Sequence, residues 1–186
     1  MGIASAHHMG SLTPACPKIT PRAANTLKTN KEQRMKAVIQ RVSSASVSVD
    51  STIVSSIQKG LMILLGISEN DTERDKDILV NKIAKLRIFA DDADKMNRAI
   101  TDVQGEILLV SQFTLCADCR HGNRPSFVTA MKPDQANALY QAFGKDLENR
   151  GIPVKYGVFG AMMDVALIND GPVTIILESQ NGAILS

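Results

Sequence analysis

The chain has 186 residues, 44% of them hydrophobic and 22% charged, and its net charge is +2. This length favours one compact domain, and no apolar run approaches the roughly 20 residues that a membrane-spanning helix needs. We therefore expect a globular protein with no membrane segment. Three cysteines are an odd number and make no disulfide framework, which suits a reducing compartment and predicts a cytoplasmic location.

The segment 1–34 differs in composition from the remainder of the chain. Five basic side chains stand against Glu32 alone, which gives this segment +4 and leaves −2 for residues 35–186. Prolines, a lack of periodicity and the absence of the apolar block of a secretory signal predict a disordered extension, with organellar targeting and a cloning remnant as alternatives. Residues 35–186 are predicted to form the functional domain. Because that domain is nearly neutral, any contact with RNA has to be local.

Three strands and a helix are predicted in the first half of the domain. Valines alternate with polar residues over 36–49, STIVSSIQ at 51–58 completes a hairpin, and LMILLGI at 61–67 is typical of a buried strand. Asp71-Thr72 then provides an N-cap for a helix over 73–87, where apolar residues recur every three to four positions.

The second half adds strands around one more helix. EILLVSQFTL at 106–115 predicts a strand that runs into a polar motif, and Pro133-Asp134 opens a helix that Gly151 ends in the C′ position. Three further strands follow, at 153–158, 162–168 and 172–178. The predicted fold is α/β of the mixed α+β kind, with a largely antiparallel sheet curled toward a barrel and two main helices.

Metal and nucleotide chemistry find little support in the domain. Cys116-x2-Cys119 followed by His121 resembles half a zinc site, but the other Cys and His residues all lie in the segment 1–34. The simpler interpretation is two loop thiols beside an unrelated histidine. No phosphate-binding glycine loop and no GxSxG elbow occurs, so we expect no metal, no cofactor and no histidine base.

Two polar segments remain as candidates for chemistry. Ser111-Gln112-Phe113-Thr114 follows a buried strand, and a strand end exposes backbone N–H groups that can face a developing oxyanion. The alternative is a turn that Ser and Thr merely cap. Gly171-Pro172, within Asn169–Thr174, has the composition of a hairpin turn. A Gly-Pro bond can also be cis at a cost of about 0.5–1 kcal/mol, and this would point two carbonyl oxygens in nearly the same direction.

Taken together, the motifs of residues 35–186 resemble the D-aminoacyl-tRNA deacylase family. They are AVIQRV at 37–42, LLGI at 64–67, KMN at 95–97, LLVSQFTL at 108–115, GNRPSF at 122–127, FGAMM at 159–163 and NDGPVT at 169–174. Each is weak alone, but SQFTL and NDGPVT in this order and spacing are highly specific.

The resemblance implies an enzyme that hydrolyses the ester of D-aminoacyl-tRNA at its 3′-terminal adenosine, and glycyl-tRNA as well. It further implies a homodimer in which the cis Gly171-Pro172 of one subunit enters the active site of the other. The Gly171 and Pro172 carbonyls would hold the α-amino group and exclude an L side chain. Arg41 matches a residue that braces the Gly-Pro segment, and Phe127 and Met163 match positions that line the adenosine and aminoacyl ends. Ordinary strand and core roles are the alternatives for these three residues.

Two catalytic routes stay open for the segment Ser111–Thr114. The Thr114 hydroxyl could be a nucleophile, although no base is evident nearby in the sequence. Backbone amides could instead hold the carbonyl oxygen while the ribose 2′-hydroxyl assists water, and this second route is favoured. A tRNA- or DNA-binding module with the same fold is the rival from a different class, and a deacylase tuned to L-Ala on the wrong tRNA is a third.

Overall fold

The computed structural model describes residues 33–185, so the predicted extension lies outside the described residues except for its last two positions. Nine strands are described: β1 (Met35–Val49), β2 (Thr52–Ile57), β3 (Gly60–Gly66), β4 (Phe89–Ala90), β5 (Met96–Arg98), β6 (Glu106–Ser111), β7 (Val154–Tyr156), β8 (Asp164–Gln180) and β9 (Ala183–Ile184). The helices are α1 (Glu73–Ala84) and α2 (Pro133–Glu148), with 3₁₀ turns at Thr101–Val103 and Phe113–Cys116. None of the described helices is long and apolar enough to cross a membrane.

β1 is the centre of the main sheet. On one edge it pairs antiparallel first with β3 and then with β2, and on the other edge β8 runs antiparallel to it over almost its whole length. β6 pairs parallel with β3, and β7 pairs parallel with β6. β9 pairs antiparallel with β8. In total, four strand pairings of the main sheet are antiparallel and two are parallel. The predicted mixed α+β class, with a curled and largely antiparallel sheet, is confirmed.

The two faces of this sheet bury different hydrophobic clusters. Ile107 and Leu109 of β6 join the larger cluster, which packs against α1 and α2, whereas Leu108 and Val110 join a smaller cluster on the opposite face. α2 is tied to the sheet by the buried Tyr140, whose hydroxyl donates a hydrogen bond of 2.7 Å to the Leu109 carbonyl. The end of β6, which carries the SQFT motif, is therefore held by packing on both faces.

The structure corrects the prediction in the region of Gly171-Pro172. The predicted strands at 162–168 and 172–178 are one continuous strand, β8, and the Gly-Pro segment lies inside it rather than in a hairpin turn. The turn formers are accommodated because the pairing partner β1 continues on both sides of them.

Smaller differences concern element ends and short strands. α1 begins after Thr72, as predicted, but ends at Ala84, three residues early, where Lys85 leaves the helical conformation with ψ of 4°. Gly151 has a φ of +78° yet lies two residues beyond the C-cap Asn149 of α2, so it is not in the predicted C′ position. The short β4–β5 hairpin was not predicted, since two or three residues show no measurable periodicity.

Candidate active site

The SQFT motif lies where β6 leaves the sheet. The Gln112 amide donates to the Leu65 carbonyl at 2.8 Å, which is the last bond of this strand to β3. A 3₁₀ turn follows at once and brings the Phe113 ring, 57% exposed, and the Thr114 side chain to the surface. Ser111 and Gln112 are half-buried at the base of this turn.

The backbone at the start of the 3₁₀ turn presents two unpaired donors. The turn is closed by the Leu115 amide to the Gln112 carbonyl and by the Ala117 amide to the Thr114 carbonyl. Within residues 33–185, the amides of Phe113 and Thr114 have no hydrogen-bond acceptor. Two adjacent N–H groups at an exposed strand end form the kind of site that stabilises a carbonyl oxygen as negative charge develops on it.

The Thr114 hydroxyl is held beside these amides. The Gln112 side-chain amide donates to the Thr114 hydroxyl oxygen at 2.5 Å. Among the described residues, no carboxylate or imidazole forms a hydrogen bond with this hydroxyl. The hydroxyl is thus positioned by an amide donor and, within residues 33–185, has no hydrogen-bonded partner that could remove its proton.

Phe127 joins the SQFT motif through an aromatic contact. Its ring meets the Phe113 ring edge to face, with centroids 5.1 Å apart and planes at 71°. The chain returns to this point because Asp118 and Ser126 exchange backbone hydrogen bonds of 2.8 and 3.0 Å. Both rings are partly exposed, and together they form an apolar surface next to Thr114.

Met163 lies on the other side of the same strand end. It packs against the smaller hydrophobic cluster, and its sulfur lies 3.0 Å from where a Cβ on Gly157 would stand. The Gly157 amide is in turn bonded to the Leu109 carbonyl at 2.9 Å. Met163 is therefore a partly buried packing residue that also borders the end of β6.

Gly171-Pro172 forms a bulge in β8. Gln40 pairs with Thr174 and Val42 with Asn169, so β1 advances by two residues where β8 advances by five. The extra residues project from the sheet edge, Gly171 and Pro172 are both exposed, and the bond between them is cis. Gly171 has a φ of +123°, a conformation that favours glycine.

Arg41 holds this bulge to the body of the protein. Its Nε lies 3.1 Å from both the carbonyl oxygen and a carboxylate oxygen of Asp170, and its Nη1 donates to the Ile88 carbonyl at 2.6 Å. The side chain is only 12% exposed. A Cβ on Gly171 would stand 2.7 Å from Arg41 Nη2, so this guanidinium occupies the space that a larger residue would need.

Asn169 is a positioning residue that the sequence analysis did not single out. Its side-chain oxygen accepts a hydrogen bond of 2.9 Å from the Val173 amide, and its side-chain nitrogen donates to the Thr174 hydroxyl at 2.9 Å. These bonds span the bulge from one side to the other. The available signal was the Asn before Asp-Gly-Pro, since Asn side chains characteristically bond to backbone groups a few residues on.

The predicted site residues fall into two groups that do not meet within one chain. Near the end of β6 lie Ser111, Gln112, Phe113, Thr114, Phe127 and Met163; beside the bulge lie Arg41, Gly171 and Pro172. Ser111 pairs with Leu65, Leu65 with Ala37, and Ala37 with Leu177. The path from Ser111 to the Gly171-Pro172 bulge therefore crosses three strand spacings and advances four residues along β1, from Ala37 to Arg41. This corresponds to a distance of about 20 Å along the sheet.

A buried polar cluster lies behind the 3₁₀ turn. The Ser68 hydroxyl is 3.5 Å from the Cys116 sulfur, and the Ser68 amide donates to the Asp71 carboxylate at 2.6 Å. Burial raises the pKa of Asp71 to about 7 and also raises the pKa of the Cys116 thiol. A buried thiol with a raised pKa is a poor nucleophile, so this cluster is structural. Residues 33–185 contain no group of His, Cys, Asp or Glu side chains arranged to hold a metal ion.

Comparisons with known proteins agree with the motifs. A model of the D-Tyr-tRNA(Tyr) deacylase family matches residues 38–178. Curated D-aminoacyl-tRNA deacylases from Bacillus cereus (strain B4264) and Bacillus thuringiensis (strain Al Hakam) are each 53% identical over 146 residues, which is 78% of this chain and 100% of theirs.

Two solved structures share the fold. A c-Myc DNA unwinding element binding protein is 47% identical with a TM-score of 0.74, over 78% of this chain and 99% of that one. A probable eukaryotic D-amino acid tRNA deacylase has a TM-score of 0.69 over 78% of this chain and 100% of that one, and at 16% identity it supports the fold alone. The resemblance inferred from the motifs is confirmed: the chain belongs to the D-aminoacyl-tRNA deacylase family, whose members hydrolyse an ester bond.

Proposed function

We propose that the protein is a homodimer that hydrolyses the ester between a D-amino acid and the 3′-terminal adenosine of tRNA, and that it also accepts glycyl-tRNA. Water adds to the ester carbonyl, the bond to the ribose oxygen breaks, and free amino acid and tRNA leave. The observation that carries this proposal is the pair of exposed, unpaired amides at Phe113 and Thr114. Because charged tRNA is the substrate, we propose the cytoplasm as the place of action.

The amides of Phe113 and Thr114 are assigned to the ester carbonyl oxygen. Both residues are exposed, and neither amide has an acceptor within residues 33–185, so no bond of the described fold has to break when negative charge develops on that oxygen. Each such donor contributes a factor of roughly 10²–10³ in rate. Among the described residues, no base is hydrogen-bonded to the Thr114 hydroxyl, which favours the route in which the ribose 2′-hydroxyl assists water over a covalent acyl-enzyme.

Gly171 and Pro172 are assigned to the partner's site as the chiral filter. Their carbonyl oxygens would accept hydrogen bonds from the substrate ammonium, and the bulge would occupy the space of an L side chain. A D side chain would point away, and glycine would have nothing to exclude. Arg41 and Asn169 would keep the bulge rigid through the bonds described above.

The homodimer is supported by the separation of the two residue groups. Gly171-Pro172 lies three strands away from the Phe113 and Thr114 amides of its own chain. It can therefore act only on an ester that is bound by the amides of another subunit. β8 also offers a surface for association: Val165, Ile168 and Ile176 are 36%, 63% and 56% exposed. From Asp164 to Ile175, the edge of β8 that faces away from β1 pairs with no strand of residues 33–185. Exposed apolar residues beside an open strand edge are typical of an interface.

The adenosine end is assigned to the aromatic surface beside Thr114. Phe113 and Phe127 present partly exposed rings on which a base can stack, a contact worth about 1–3 kcal/mol. Met163, on the opposite side of the strand end, would border the aminoacyl group.

Release of D-tyrosine from D-Tyr-tRNA, with L-Tyr-tRNA as control, tests the activity.

Subunit mixing tests the cross-subunit arrangement: Gly171→Val disables the filter and Phe113→Pro removes an amide. We expect each variant alone to be inactive and the mixture, after denaturation and refolding together, to recover about a quarter of the wild-type activity, because half of the dimers are mixed and each has one intact site. A mixture as inactive as its components would contradict a shared site. Binding of duplex DNA without hydrolysis would instead favour the rival binding module, which the name of the 47% identical structure suggests.

A further inference from the structure

The loop after the SQFT motif concentrates positive charge. Residues 117–132 contain Arg120, Arg124 and Lys132 against Asp118 alone, a net +2. Since residues 35–186 carry −2 in total, the rest of the domain carries −4. The loop is thus a basic stretch in a domain whose remaining residues are acidic in total.

Residues 118–126 of this loop form a projecting hairpin, here named the basic hairpin. Its base is closed by the backbone bonds between Asp118 and Ser126, and all of the residues between them are exposed. A Cβ on Gly122, near the tip, would have no atom within 4 Å. The hairpin therefore extends into solvent, and its tip takes no part in packing the domain.

The base of the basic hairpin is fixed to the candidate active site. The Thr129 hydroxyl donates to the Cys116 carbonyl at 2.9 Å, and Phe127 contacts Phe113. Only Leu115 and Cys116 separate Thr114 from the start of the loop. A strand of RNA whose 3′ end reaches Thr114 would pass close to this hairpin.

The basic hairpin carries two arginines, Arg120 near its base and Arg124 near its tip. An open polar cavity of about 220 Å³, lined by Lys36, Arg120 and Thr129 among others, lies beside Cys116. Arg120 is oriented there by two bonds, of 2.9 and 2.7 Å, to the Asp118 carboxylate. Arg124, near the tip, forms no ion pair with any residue from 33 to 185.

We propose that the basic hairpin binds the phosphates of the tRNA strand that leads to the terminal adenosine, with Arg124 as a phosphate ligand. This inference rests on the proposed function, because the ester site fixes where the RNA ends. A guanidinium suits a phosphate through paired N–H donors, and such contacts position a nucleic acid without reading its sequence. Local binding by the hairpin also explains how a nearly neutral domain holds a polyanion.

The test compares Arg124→Gln with Arg124→Lys, which keeps the charge, and with Lys82→Gln, which removes an exposed charge on α1. Substrates are D-Tyr-tRNA and D-tyrosyl-adenosine, which has no phosphate. For Arg124→Gln we expect KM for D-Tyr-tRNA to rise about three- to tenfold at constant kcat. The slope of log(kcat/KM) against log[salt] should become shallower by about 0.7, the value for one single-strand phosphate contact. Arg124→Lys should keep most of the salt slope, and Lys82→Gln should behave as wild type.

D-tyrosyl-adenosine separates binding of RNA from an effect on the site. Its hydrolysis should be the same in Arg124→Gln and wild type. An equal loss on both substrates, or an unchanged salt slope with D-Tyr-tRNA, would overturn the proposal. If wild type hydrolyses neither substrate, the proposed function fails instead. Salt-dependent binding of uncharged tRNA then decides the role of the hairpin, because Arg124→Gln should still flatten its slope.

Discussion

Phe113→Pro removes one of the two unpaired amides without removing a bond of the folded protein. Phe113 is the first residue of a 3₁₀ turn, and its amide has no acceptor in residues 33–185. The fixed backbone conformation of proline suits the first position of such a turn. Gln112, with φ of −140° and ψ of 81°, lies outside the helical region that a following proline disfavours. Phe113→Leu is the matched control, because it removes the ring and keeps the N–H group.

The expected magnitude separates these two variants clearly. Loss of the edge-to-face contact with Phe127 costs about 0.5–1.5 kcal/mol and is common to both. Loss of an oxyanion donor costs about 2.7–4 kcal/mol of transition-state stabilisation, or 10²–10³ in rate, and affects the proline variant alone. Phe113→Pro should therefore be at least about 10² slower than Phe113→Leu, with a similar melting temperature.

Single-turnover hydrolysis of D-Tyr-tRNA by excess enzyme measures this difference, since the observed rate then excludes product release. Thermal unfolding of each variant checks that the fold is kept. If the two variants agreed within threefold, the amides would not bind the carbonyl oxygen and the assignment of the site would be wrong.

Two further predictions concern side chains. Thr114→Ala should lower kcat by about tenfold or less, because no base from residues 33–185 is bonded to the hydroxyl; a loss of many orders of magnitude in single-turnover assays would instead identify a nucleophile. Burial raises the pKa of Asp71 from 3.8 to about 7, so the folded state binds this proton more tightly than the unfolded state does. The associated stability is complete below about pH 4 and is lost as the pH rises through 7, up to about 3 kcal/mol between pH 5 and pH 8. Urea unfolding should show this loss in wild type relative to Asp71→Asn; identical pH dependence in the two proteins would disprove it.

Most of the main elements could be predicted from local pattern. The alternation in 36–49 and the apolar run at 61–67 correspond to β1 and β3, and α1 begins directly after the predicted N-cap residue Thr72. These features follow from residue propensity and from one buried face, which short stretches of sequence encode directly.

The continuity of β8 could not be predicted, because it depends on a distant partner. Asn169-Asp170-Gly171-Pro172 has the composition of a turn, and only pairing with β1 on both sides keeps the strand in the sheet. The separation of the two residue groups is likewise a property of strand order, in which β8 and β6 lie three places apart. The motifs identify which residues belong to the candidate site. Where these residues lie in the sheet follows only from the pairing of the strands, which the motifs do not contain.

The proposed site depends on main-chain atoms: amides at Phe113 and Thr114, and carbonyls at Gly171 and Pro172. An alanine scan leaves every one of these atoms in place, except where it distorts the backbone. Gly171→Ala would be especially misleading, because its methyl group would meet Arg41 before it met any substrate. Experiments that test the roles of these atoms therefore have to change the backbone itself, by proline substitution or by replacement of a single amide with an ester.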